Sequence, residues 1–114
     1  MLDQWIGGGF GKLKLDKQNF LIVGIEIFHF NPRSERLAAN VLKETLRAYP
    51  TTNRGVKTAR FHVLRNNRRA AILCELGFLS NPRDNSQVQK AAVRQRLAER
   101  IAAGILAERA GRSP

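Results

Sequence analysis

Residues 70–82 read Ala-Ala-Ile-Leu-Cys-Glu-Leu-Gly-Phe-Leu-Ser-Asn-Pro. Ala70 to Leu76 is a continuous apolar run broken by one charge, Glu75, and Gly77 to Asn85 follows as a loop rich in Gly, Ser, Asn and Pro. A short apolar run bounded by turn-formers reads as a buried strand. A carboxylate inside it must be matched by a cation, a metal or a proton, because desolvation disfavours its charge. Glu75 also sits at the carboxyl end of its strand, where open α/β sheets gather their sites. Two readings stand side by side: a functional carboxylate, or a buried glutamate paired with one of many arginines.

Outward from this stretch the pattern continues. Phe20 to Phe30 is rich in β-branched and aromatic residues and reads as a strand covered on both faces. Asn31-Pro32 supplies a helix start, and Leu37, Ala38, Val41, Leu42 and Leu46 recur at helical spacing, which predicts a helix over Pro32 to Ala48. Tyr49-Pro50 and the polar Thr51 to Gly55 end it. Ala59 to Leu64 alternates Phe61 and Val63 with Arg60 and His62, as a half-buried strand does. From Gln87 to Arg109, Val93, Leu97, Ile101 and Ile105 step by four and predict a long amphipathic helix. The order β-α-β-β-α is that of an α/β fold with about three strands and two main helices.

At 114 residues the chain is one domain at most, and 43% hydrophobic residues give it enough to build a core. No apolar run approaches the roughly 18 to 20 residues of a membrane span. One cysteine excludes an internal disulfide framework and a thiolate-rich metal site. Residues 1–22 read as a flexible segment punctuated by Gly7, Gly8, Gly9 and Gly11, with no secretory signal pattern. Its Gly-Gly-Gly-Phe-Gly-Lys string is no phosphate loop: the first motif glycine would have to be Ile6, and Leu13 stands where Ser or Thr should follow Lys12. The net charge is +11, with Arg65, Arg68 and Arg69 as its densest stretch and Arg60 close by. Such an excess favours weak binding of polyanions through arginine, but 7% aromatics and no zinc-finger or RNP-like motif give no sign of sequence-specific nucleic-acid reading.

Among other residues with reactive side chains, Glu26 in Ile-Val-Gly-Ile-Glu-Ile-Phe resembles Glu75 in its setting and reads as an ion pair or an edge residue. His29 and His62 are the only imidazoles, and neither belongs to a His-x-x-x-His or His-Glu-x-x-His arrangement, so a structural role is favoured for both. Cys74 faces away from Glu75 by strand alternation and reads as a small buried hydrophobe.

The string Ala71-Ile-Leu-Cys-Glu-Leu-Gly-Phe-Leu-Ser-Asn-Pro82 resembles the signature of the zinc-dependent N-acetylmuramoyl-L-alanine amidases, which cut stem peptides from peptidoglycan. Gly24-Ile-Glu-Ile-Phe28 is similar to that family's strand after its third zinc ligand. Ser34-x-x-Leu-Ala38 is similar to its next helix, Val56-Lys-x-Ala-x-Phe-x-Val-Leu64 to its strand before the signature, and Leu97-Ala-x-x-Ile-Ala-x-Gly-Ile105 to its closing helix. The resemblance spans Val23 to Ala107 and implies residues 23–114 as the C-terminal portion of an amidase-like catalytic domain, with an incomplete sheet. It assigns Glu75 the role of general base beside a zinc-bound water. The family's zinc is held by two histidines and a glutamate upstream of the matched part, and residues 1–22 contain no histidine. Zinc is therefore implied by the resemblance while no ligand for it can be named here. The implied chain is a truncated domain, inactive alone and acting on peptidoglycan only if complemented. The family works in periplasm or cell wall, whereas this chain, as written without a signal, would stay cytoplasmic. Two further readings are a non-catalytic basic module that holds anionic wall polymer or nucleic acid, and a hydrolase with a metal site rebuilt from His29, His62 and Glu75.

Overall fold

A computed structural model describes residues 21–111. The expectation of a flexible N-terminal segment falls, for residues 1–20, outside them. The described chain is α/β, with a three-stranded mixed sheet in the order β2-β1-β3. The central strand β1 (Ile25–His29) runs parallel to β2 (Asn53–Thr58) and antiparallel to β3 (Leu73–Glu75). The strand expected over Phe20 to Phe30 is confined, among the described residues, to Ile25–His29, where Ile25 and Ile27 carry no exposed surface and Glu26 and His29 are buried as well, as in a strand covered on both faces.

Asn31-Pro32 starts the first helical segment: Asn31 Oδ1 accepts from Arg33 N at 3.1 Å. A 3-10 turn (Pro32–Ser34) leads into α1 (Glu35–Thr45). The strand expected over Ala59 to Leu64 is a correction. The strand that pairs with β1 lies earlier, at Asn53–Thr58, within and beyond the polar stretch read as a turn, and His62–Arg65 forms a short helix, α2. The Phe61/Val63 alternation is present but carries no burial, since both are exposed and Leu64 is the side chain that goes inside. β2 instead owes its place to backbone pairing with β1, where Gly55 lies opposite Glu26 and Val56 opposite Ile27.

A second correction concerns Gly77 to Asn85. Asn81-Pro82 repeats the Asn-Pro helix start, and Asn81 Oδ1 accepts from Arg83 N at 2.9 Å and Asp84 N at 3.1 Å. α3 (Pro82–Val88) therefore begins inside the expected loop, and α4 (Ala91–Gly111) follows as a separate helix. One face of the sheet, through Ile25 and Ile27, meets Ala38, Val41 and Leu42 of α1, with Tyr49, Val93 and Leu97 completing the core. α4 packs on α1. Gly104 makes the approach close: a Cβ there would lie 2.6 Å from Val41 Cα. Alternation sends Glu26, Phe28, Leu73 and Glu75 to the opposite face.

Candidate functional site

Glu75 ends β3 and is directly opposite Glu26 on β1. Directly opposed residues in an antiparallel pair hold their Cβ atoms about 5 Å apart, so two buried carboxylates share one face. Like charges at that separation oppose each other, and β2 supplies the compensation. Arg54 Nε donates to Glu26 Oε1 at 2.8 Å, and Lys57 Nζ lies 3.2 Å and 3.4 Å from the two Glu26 oxygens. The Arg54 guanidinium also sits 5.3 Å above the centre of the Phe78 ring, three residues beyond Glu75. Glu26 is thus the ion-paired glutamate that its sequence suggests.

The turn after Glu75 is held from two sides. Tyr49 Oη donates to Leu76 O at 2.8 Å. Gly77 adopts φ +147, and a Cβ there would come within 2.6 Å of Tyr49 Oη, so the approach requires glycine. Asp84, only 1% exposed, accepts from Phe78 N at 3.0 Å, from Gly24 N at 2.8 Å and from Thr51 Oγ1 at 2.7 Å. One carboxylate thereby fastens the turn behind Glu75 to the entry of β1 and to the segment before β2. Burial, reinforced by the charge of Asp84, pushes the Tyr49 phenol well above its ordinary range, so it remains a donor. Asp84, Tyr49, Thr51, Arg54 and Lys57 escaped the sequence reading. The Asn81-Pro82 helix start that places Asp84 in a first turn was the one available signal.

The histidines do not join this site. His29 is buried at the far end of β1 with Nδ1 3.1 Å from Asn31 O. It is three strand residues from Glu26, about 10 Å along the strand. His62 is exposed on α2, with Asn66 Nδ2 2.8 Å from its Nδ1. Cys74 lies opposite Ile27, on the face away from Glu75, and burial pushes its thiol up to about 11. Among the described residues, no three His, Cys, Asp or Glu side chains come together as a set that could hold a metal ion. A metal site built from His29, His62 and Glu75 is therefore not what this fold assembles.

Residues 15–107 match the family model described as N-acetylmuramoyl-L-alanine amidase. An uncharacterized cell wall amidase of Bacillus anthracis is 36% identical over 93 residues, covering 73% of this chain and 18% of its own length. The N-acetylmuramoyl-L-alanine amidase LytC of Bacillus subtilis is 32% identical over 73 residues, covering 64% of this chain and 15% of its own. Among solved structures, an N-acetylmuramoyl-L-alanine amidase from Clostridium difficile 630 superposes with a TM-score of 0.78 at 29% identity, covering 86% of this chain and 54% of that one. The amidase AmiC2 of Nostoc punctiforme gives 0.75 at 31% identity, with 82% and 51% covered. The chain thus spans about half the length of these solved structures and under a fifth of the two bacillar relatives. No helix among the described residues is long and apolar enough to cross a membrane.

Proposed function

Because this chain belongs to the N-acetylmuramoyl-L-alanine amidase family, we propose that it provides the base-bearing part of a peptidoglycan amidase site. Its substrate bond is the amide between the muramoyl lactyl group and L-alanine. Glu75 is the group that moves the proton: it takes one from the attacking water and returns it to the nitrogen of the departing L-alanine. The observation that supports this reading is the burial of Glu75, 6% exposed at the end of β3, inside the family's Glu-Leu-Gly-Phe-Leu-Ser-Asn string. Arg54 and Lys57 neutralise Glu26 beside it, so the second carboxylate does not impose an unbalanced charge on the first. Tyr49 and Asp84 fix the backbone behind it, which limits the positions its carboxylate can take.

The zinc on which the family depends does not fit the donors of this chain. The described residues bring no ligand set together, and residues 1–20 contribute neither His nor Cys. We infer that the chain does not turn over peptidoglycan unaided.

The test is a hybrid in which residues 23–107 replace the matching half of the Clostridium difficile amidase, assayed for release of stem peptide with zinc content read in parallel. Glu75→Gln should lower the hybrid's turnover on the order of 100-fold or more with zinc content unchanged. A Glu75→Gln hybrid as active as its parent would remove Glu75 from the reaction. Turnover by the isolated chain, with one zinc bound, would overturn its dependence on outside donors.

A further inference from the structure

Between Glu44 and Glu75 the chain carries seven Lys and Arg residues and no acid. The fold gathers part of this stretch at the exit end of β1, about 10 Å along the strand from Glu26, the residue opposite Glu75. Residues 59–71 cross that end and are tied to it at three points. Ala59 N donates to His29 O at 3.0 Å, Arg33 Nη1 to Arg68 O at 2.9 Å, and Ala71 N to Ser34 Oγ at 3.0 Å. Arg60, Arg65, Arg68 and Arg69 all point into solvent, and among the described residues no carboxylate pairs with them. The same end exposes large apolar side chains. Val63 is 59% exposed, Phe30 41% and Phe61 40%, with the Phe61 ring edge-on against Phe28 at 5.2 Å.

Apolar side chains set among unpaired arginines suit one kind of partner better than a soluble polyanion. A polyanion in water rewards the arginines alone and leaves Phe30, Phe61 and Val63 wet. A bilayer with anionic phosphate headgroups takes both, with guanidinium groups on the phosphates and the apolar side chains in the interface. We propose that the end of the molecule formed by residues 30 and 59–69 docks on an anionic membrane surface. This stands apart from any chemistry at Glu75, which pairs with Glu26 near the other end of β1.

The full chain is tested by flotation with phosphatidylglycerol-containing vesicles, against phosphatidylcholine vesicles and soluble polyphosphate. Binding should require the anionic lipid and weaken as salt rises. Each arginine near such a surface contributes on the order of five-fold in partitioning, so Arg65→Glu/Arg69→Glu should weaken binding more than ten-fold. The charge-matched Lys90→Glu/Arg109→Glu, in the turn between α3 and α4 and on α4, should change it less than two-fold. Val63→Ser should lower vesicle binding while leaving polyphosphate binding unchanged. Circular dichroism of each variant shows that it is folded. Equal loss in the two double variants would mean net charge alone and overturn the proposal. So would absence of binding to anionic vesicles, or polyphosphate binding as tight as vesicle binding with no effect of Val63→Ser.

Discussion

A carboxylate with 1% exposure persists only if its oxygens are occupied, and Asp84 fills them with two backbone N–H groups and one hydroxyl. Asp84→Ala strands Gly24 N and Phe78 N in a dry interior and should cost about 3 kcal/mol, read as a lowered midpoint in urea unfolding. A loss below about 1 kcal/mol would mean water replaces the carboxylate at little expense. Cys74 and Tyr49 give the residue scale a pH signature. The Cys74 thiol rises from 9.0 to about 11 on burial, so between those values the unfolded chain gives up its proton and the folded chain does not. Stability present below pH 9 is then lost as pH rises, by about 2 kcal/mol near pH 10.5. Tyr49, also raised, adds a loss of the same sign above its ordinary range. Unfolding followed from about pH 8 to 10.5 should fall less steeply in Cys74→Ala. Parallel curves would show that the thiol is not the group responsible.

Helix packing depends here on one missing side chain. At Gly104 a Cβ would meet the Val41 backbone at 2.6 and 2.9 Å, atoms that move only if α1 moves. Gly104→Val should therefore cost at least about 2 kcal/mol despite better helix propensity. Gly111→Ala faces only the flexible end of Arg36 and should be neutral within about 0.5 kcal/mol in the same denaturation assay. A Gly104→Val chain as stable as its parent would mean that α4 lifts off α1 without penalty. The elements differ in how far their residues announced them. β1 and β3 were legible because apolar runs bounded by turns report burial directly, and α1 and α4 because their apolar stripes do. β2 was not, since Asn53, Arg54 and Gly55 have poor strand propensity and are held by pairing with β1. At the candidate site, Glu75 stood out as a charge in an apolar run. Its surroundings did not, because Arg54 reaches Glu26 across 28 positions and Asp84 reaches Gly24 across 60. No local pattern encodes such pairings.

At the scale of the whole molecule, the sheet has one fully paired strand and two edges. β1 is bonded on both sides, whereas β2 and β3 each face β1 alone among the described residues. The part of this chain that superposes on the solved relatives spans about half of their length. An open edge is a template for pairing, and here neither edge carries a proline in its strand. Amide hydrogen exchange separates the outcomes. If the edges are bare, the amides of Ile25–His29 should exchange only through global unfolding, while outward-facing amides of β2 and β3 exchange about 100-fold faster or more. The contrast should hold on tenfold dilution. Outward amides as slow as those of β1 would mean that an edge is covered. Protection lost on dilution would then identify the cover as a second copy of the chain, and protection kept would identify it as the chain's own residues.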